Sequence, residues 1–443
     1  MLLRGLGNQA RARLAPELAA RSGAARPLQR QGWSKSVPGG WNEKARKIGN
    51  TWRLPVEGIT RGNKAASIKA PARKKPGAPL TQDTPESAAG RAIVLVPPSA
   101  NLSDGVEVLL QFHGHDVGYR ERTDTSGFGV DPGSVRDVEE DLLPQQLEAG
   151  QRSMIAVLPQ GTHKSVFGIK DPAAYVEEVL ALIVPMLNKI GRTVDLKQVG
   201  VRRIVMSGHS GGGLEMVKAA GVLDPGAKAT EEQWLRSPPM LLFDAINGPG
   251  EVGAAASLME RWLDADLAIL TKAGAGARAL LAKRGLKLRS MYSDSHMYKS
   301  TNTGGTYKGW VWKKKTEEVD GKTVTKSEKV WDDITITPEA ALKGRRDRWF
   351  RKHGPQLAAL DKLAPPKAAG DKDPSEMLKD QYRIDYVGGG HDFILGSGHE
   401  ATAAERTGTA TPTPTAKVLG VPAAPAKGNL AQSVKLLGPV PPP

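Results

Sequence analysis

Hydrophobic positions along this chain fall into two registers that take turns. Short, nearly unbroken apolar runs occupy residues 92–96, 106–112, 155–158, 203–206, 240–246, 286–292 and 382–387. Runs of this length are expected for strands covered on both faces. Between them lie segments with helical character, at 173–189, 214–220, twice between 253 and 284, and at 339–352. Strands alternating with helices predict an α/β domain, with a mostly parallel sheet joined by right-handed crossovers and covered by helices on both faces. Ahead of it, residues 50–58 read as an edge strand entering a turn.

One stretch breaks the rhythm. At about 300–337, Trp310-Val311-Trp312 and Val330-Trp331 flank Asp320-Gly321, a strong hairpin signal, with lysines on both arms. The pattern predicts an inserted β-hairpin whose tryptophans pack it onto the body, in preference to a substrate lid or a docking surface. The ends lack any core pattern. Residues 1–36 form a basic arm rich in Ala, Arg, Gly and Gln, and about 65–88 is a basic Pro/Ala linker. Residues 400–443 are an Ala/Thr/Pro-rich tail. Arm and tail are expected to be disordered, which leaves 37–399 as the folded domain.

Composition narrows the chemistry. The 443 residues include no cysteine, so disulfides, thiolate metal sites and a cysteine nucleophile are excluded. Net charge is +15, yet residues 1–76 alone hold 17 Lys+Arg against 3 Asp+Glu. The body is therefore nearly neutral, which argues against a protein whose main surface binds nucleic acid. Met1-Leu2-Leu3-Arg4 meets charge before a signal-peptide core can form, and no segment approaches the ~20 apolar residues of a membrane span. A cytoplasmic location in the producing cell is the expectation.

Chemistry concentrates at Gly208-His209-Ser210-Gly211-Gly212, where an apolar run meets a helical segment. A strand that turns directly into a helix around a serine forces that residue into a tight turn, with only glycines able to flank it. Its oxygen is pushed out of the sheet, against the free amides of a helix N-terminus. A serine hydroxyl still requires a base. His391, in Gly388-Gly389-Gly390-His391 after the last apolar run, is the one histidine in a glycine-freed loop at that place.

Over roughly residues 90–395 this layout resembles the α/β-hydrolase fold, and the resemblance implies a serine hydrolase. It implies Ser210 as nucleophile and His391 as base. The oxyanion hole would come from the loop opened by His113-Gly114, through Gly114 and the His115 amide, and from Gly211. The triad acid would be Asp244, after the sixth-strand candidate, or Asp294, after the seventh. An acid at an apolar strand end is costly to bury without a partner, which favours Asp244 over Asp294. His113-Gly114-His115-Asp116 also begins like a binuclear metal motif, but Val117 and Gly118 stand where further ligands are needed. Neither metal nor cofactor is expected.

The implied reaction is cleavage of an ester, thioester or amide through an acyl-enzyme, on a small-molecule, lipid or peptide substrate. The competing expectation is a non-catalytic cargo or docking protein on the same scaffold. Leu3-Arg4-Gly5-Leu6-Gly7-Asn8-Gln9-Ala10 matches in part the Leu-Gln-Arg-x-x-Gly-Asn-x-Ala pattern in arms of proteins encoded with bacterial extracellular contractile injection systems. That resemblance implies an effector docked on such a particle through residues 1–36 and exported by that non-classical route.

Overall fold

A computed structural model describes residues 45–60, 90–102, 105–114, 143–161, 165–192, 200–226, 228–246, 249–292, 307–319, 322–334, 338–364, 370–387 and 429–439. The fold is mixed α/β around a mostly parallel sheet. Its strands are β1 (Arg46–Ile48), β2 (Thr51–Glu57), β3 (Arg91–Val96), β4 (Val106–Phe112), β5 (Met154–Pro159), β6 (Val201–His209), β7 (Met240–Phe243), β8 (Leu288–Tyr292) and, last in the chain, β11 (Tyr382–Tyr386). They lie in the order β1-β2-β3-β5-β4-β6-β7-β8-β11. From β5 to β11 neighbours run parallel, while β3 is antiparallel to both β2 and β5. Residues 50–58 thus hold a strand but not an edge. Gly49, at φ +61°, turns β1 back onto β2 and makes β1 the edge.

Every residue of β3, β4, β5 and β7 is buried. Alternate residues feed two cores, because successive side chains of a strand point to opposite faces. Val94, Val108, Leu110, Val157, Met206 and Leu242 face one core. Helices α2 (Pro172–Lys189), α3 (Gly212–Val222), α5 (Pro249–Ala273) and α6 (Ala277–Arg284) cover it, with the short α4 (Glu231–Arg236) between α3 and β7. Ile93, Leu95, Leu109, Ala156, Val205 and Phe243 face the other. That second face is covered by α1 (Leu143–Gly150) and by a helix near the end of the chain, α10 (Asn429–Lys435).

The expectation of disorder from 400 onward therefore fails for residues 429–439. Leu430, Val434 and Leu437 are buried in the second core, and Ala431 is buried beside them in α10. Gln146 Oε1 on α1 accepts from the Leu430 and Ala431 amides, both at 3.1 Å, and satisfies the open start of α10. Beyond it, Arg152 and Arg203 share the buried carboxylate of Glu107 and both donate to the Gly438 carbonyl, at 2.6 and 2.9 Å. Only a glycine fits there, since a Cβ on Gly438 would stand 2.1 Å from the Lys283 carbonyl oxygen. The segment is a strap across the N-terminal ends of β4, β5, β6 and β8.

The inserted hairpin is formed by β9 (Tyr307–Val319) and β10 (Lys322–Ile334), antiparallel with Val319 opposite Lys322. It makes its own two-stranded sheet, and the side chains of Lys313–Thr316 and Thr323–Glu328 are exposed. The tryptophan side chains of the hairpin lie outside what the structure describes. After it come α7 (Pro338–Lys352), α8 (Gly354–Leu363) and α9 (Pro374–Asp380). Helix α7 is pinned to α5 by Arg345, whose Nε and Nη2 donate to Glu260 at 2.7 and 2.6 Å. Residues 1–36, the linker at 65–88, and 400–428 lie outside the described residues. Among those described, no helix is long and apolar enough to cross a membrane.

Candidate active site

Ser210 follows the last residue of β6 and has φ +48°, a left-handed backbone that a non-glycine residue adopts at a cost. Two hydrogen bonds hold it there. Its amide donates to the Phe243 carbonyl at 3.1 Å, and its carbonyl accepts from the Gly213 amide at 3.1 Å. α3 begins two residues later, so the serine caps a sheet and precedes a helix N-terminus.

The glycines around it are required by space. A Cβ on Gly212 would stand 2.5 Å from the carbonyl oxygens of Phe112 and His113, and one on Gly213 1.8 Å from that of Ala245. The elbow is thus wedged between the exits of β4 and β7. A Cβ on Gly114 would reach 2.9 Å from the Ser210 Cβ and 3.5 Å from its Oγ, so the loop leaving β4 passes directly against the hydroxyl. The structure brings Gly114 against Ser210, with Gly211 next in the chain; His115 lies outside the described residues.

His113 fixes that loop. Its ring is buried, with Nε2 accepting from the Gly161 amide at 2.8 Å and Nδ1 2.8 Å from the Gly114 carbonyl. Phe167 packs on the imidazole at 4.7 Å and on Phe112 at 4.9 Å. These bonds commit both ring nitrogens to backbone, one as acceptor and one as donor. Among the described residues, no group of three or more His, Asp or Glu is arranged to hold a metal ion.

Asp244 is the second strained residue, with φ +45° and only 3% exposure. It follows β7 as Ser210 follows β6, and the two strands pair in parallel with His209 opposite Phe243. Its amide donates to the Met291 carbonyl at 2.8 Å, which anchors it across the end of β8. Ser210 and Asp244 therefore project from adjacent strand ends on the C-terminal side of the sheet, where open α/β sheets place their ligands. His391 and Asp294 lie outside the described residues. His353 is remote from this edge, stacked on Trp349 between α7 and α8.

The structure adds Glu339, in the first turn of α7 and 2% exposed. Burial pushes its carboxyl up to about 8, and repulsion from Asp244 and then Glu251 adds to the shift. At neutral pH it carries its proton, beside a buried aspartate. Nothing in Thr337-Pro338-Glu339 distinguishes it from any helix start.

No family model matches this sequence, and a search of curated proteins returns no match.

Proposed function

We propose that the protein is a serine hydrolase of α/β-hydrolase type, with Ser210 as nucleophile, Asp244 as the acid that orients the base, and His391 as that base. The observation that carries this reading is Ser210 itself. A strained serine between a strand end and a helix start, with a glycine loop against its hydroxyl, is the arrangement that exposes an oxygen to attack a carbonyl. The strand order supports it too, with the antiparallel-paired β1, β2 and β3 ahead of a parallel run and the serine after a central strand. In the proposed cycle Ser210 Oγ adds to an ester, thioester or amide carbonyl as His391 takes its proton. The Gly211 amide and the loop at Gly114 hold the oxyanion. The proton then passes to the leaving group, and water releases the acyl group.

A fluorophosphonate probe tests the proposal. The intact protein should be labelled at Ser210 and Ser210→Ala should not; equal labelling of both ends the reading. Asp244→Asn should slow turnover of an activated ester by up to about 10⁴-fold, as expected when the tautomer of the base is lost. An unchanged rate would return the acid role to Asp294.

A further inference from the structure

A second cleft lies away from Ser210. About 820 Å³ in volume, it lies beside β11, the sheet edge opposite β1, between the last turn of α6, α7, α9 and the strap. Gly285 and Leu286 place it at the entrance of β8, whereas Ser210 stands at the exit of β6. It is a separate place, at the β11 edge of the sheet, three strands from β6.

Its lining has two characters. Leu281, Leu286, Met377, Ile384 and Leu436 make it apolar. Leu436 is 40% exposed, one of four large apolar side chains left open among the described residues. Around these stand Lys343, Arg346, Lys372, Lys379 and Arg383, against Asp380 and Asp385 alone. Both carboxylates are already engaged. Asp380 accepts from Lys372 at 2.5 Å, and Asp385 pairs with Arg289 at 3.0 Å and Arg383 at 3.2 Å. Arg346 is nine-tenths buried and fixed to Asp347 and the Tyr382 carbonyl. Lys343 and Lys379 have no carboxylate partner among the described residues.

We propose that this cleft is a binding site for an amphipathic anion, a carboxylate, phosphate or sulfate carried on an apolar chain. The volume falls in the range of small-molecule sites, and a few charged groups on an apolar lining is how such sites fix orientation. A neutral apolar ligand would leave the lysines unpaired, and an inorganic anion would leave Leu436 in water. Only a ligand with both parts uses both halves of the lining.

Calorimetric titration of the full chain with monomeric dodecanoate tests this, with dodecanol, acetate and phosphatidylglycerol vesicles as further arms. Dodecanoate should bind saturably at one site, at least tenfold tighter than dodecanol or acetate. The exposed pair Lys343→Glu with Lys379→Glu should weaken it at least tenfold, with an unchanged thermal midpoint showing that the variant is folded. Ser210→Ala should leave binding within about twofold, which separates this cleft from the acyl site of a hydrolase. Vesicle binding lost in the lysine variant would identify a bilayer headgroup as the source; dodecanoate binding without vesicle binding would identify a free anion. Equal binding by the lysine variant, or dodecanol binding as tightly as dodecanoate, overturns the proposal.

Discussion

A left-handed backbone costs a non-glycine residue about 1–2 kcal/mol, and Ser210 and Asp244 each carry that cost one residue beyond adjacent strand ends. Ser210→Gly should therefore raise stability in urea by about 1 kcal/mol while abolishing any reaction at the hydroxyl. A lower stability would mean that the turn needs the serine side chain. Glu339 works in the other direction. In the unfolded chain this carboxyl releases its proton near the ordinary 4.5, whereas the fold holds it to about 8. The unfolded state then binds fewer protons through that window, so stability falls as pH rises across it. The deficit is complete above 8, at roughly 5 kcal/mol. Glu339→Gln should flatten the urea midpoint between pH 5 and 9, and a profile that still falls equally would place the titrating group elsewhere. The two kinds of residue differ in legibility. Ser210 announced itself because its turn demands glycines at fixed offsets, and Gly114 because it follows an apolar run. Glu339 is hidden because its burial is produced by packing of α7 on α5, which no local pattern encodes.

At the scale of elements, the buried strands were readable from unbroken apolar runs, and the β9–β10 hairpin from Asp320-Gly321. β1 was missed because three residues carry no periodicity, and its role depends on Gly49. α10 was missed because its apolar positions are Leu430 and Val434, too few to stand out in an Ala/Pro-rich tail. Its weight comes from the core it meets. Burial of Leu430, Val434 and Leu437 is worth about 1.5–3 kcal/mol each as an upper estimate, and Gly438 takes hydrogen bonds from two arginines. Ending the chain at residue 428 should lower stability by roughly 5 kcal/mol or more and raise binding of a hydrophobic dye; an unchanged midpoint would show the strap to be dispensable. The hairpin should behave oppositely. Replacing residues 313–328 by Asn-Gly removes the exposed part of a sheet that stands alone, so stability should change by about 1 kcal/mol or less. A larger loss, measured in urea, would show that the hairpin tip packs on the body.

Across the whole molecule, the two cores are built from unequal parts of the chain. The first is closed by helices that follow their strands in sequence, α2 after β5 and α3 after β6. The second waits for α10, which is translated after every strand it covers. At synthesis rates of about 5–20 residues per second, the interval between β3 and the strap lasts on the order of tens of seconds. Over that interval α1 is, among the described residues, the one helix packed on Leu95, Leu109, Ala156 and Val205. Until α10 is made, that flank lacks one of the two helices described on it, and yield in a cell depleted of holding chaperones should fall more for this chain than its finished stability suggests.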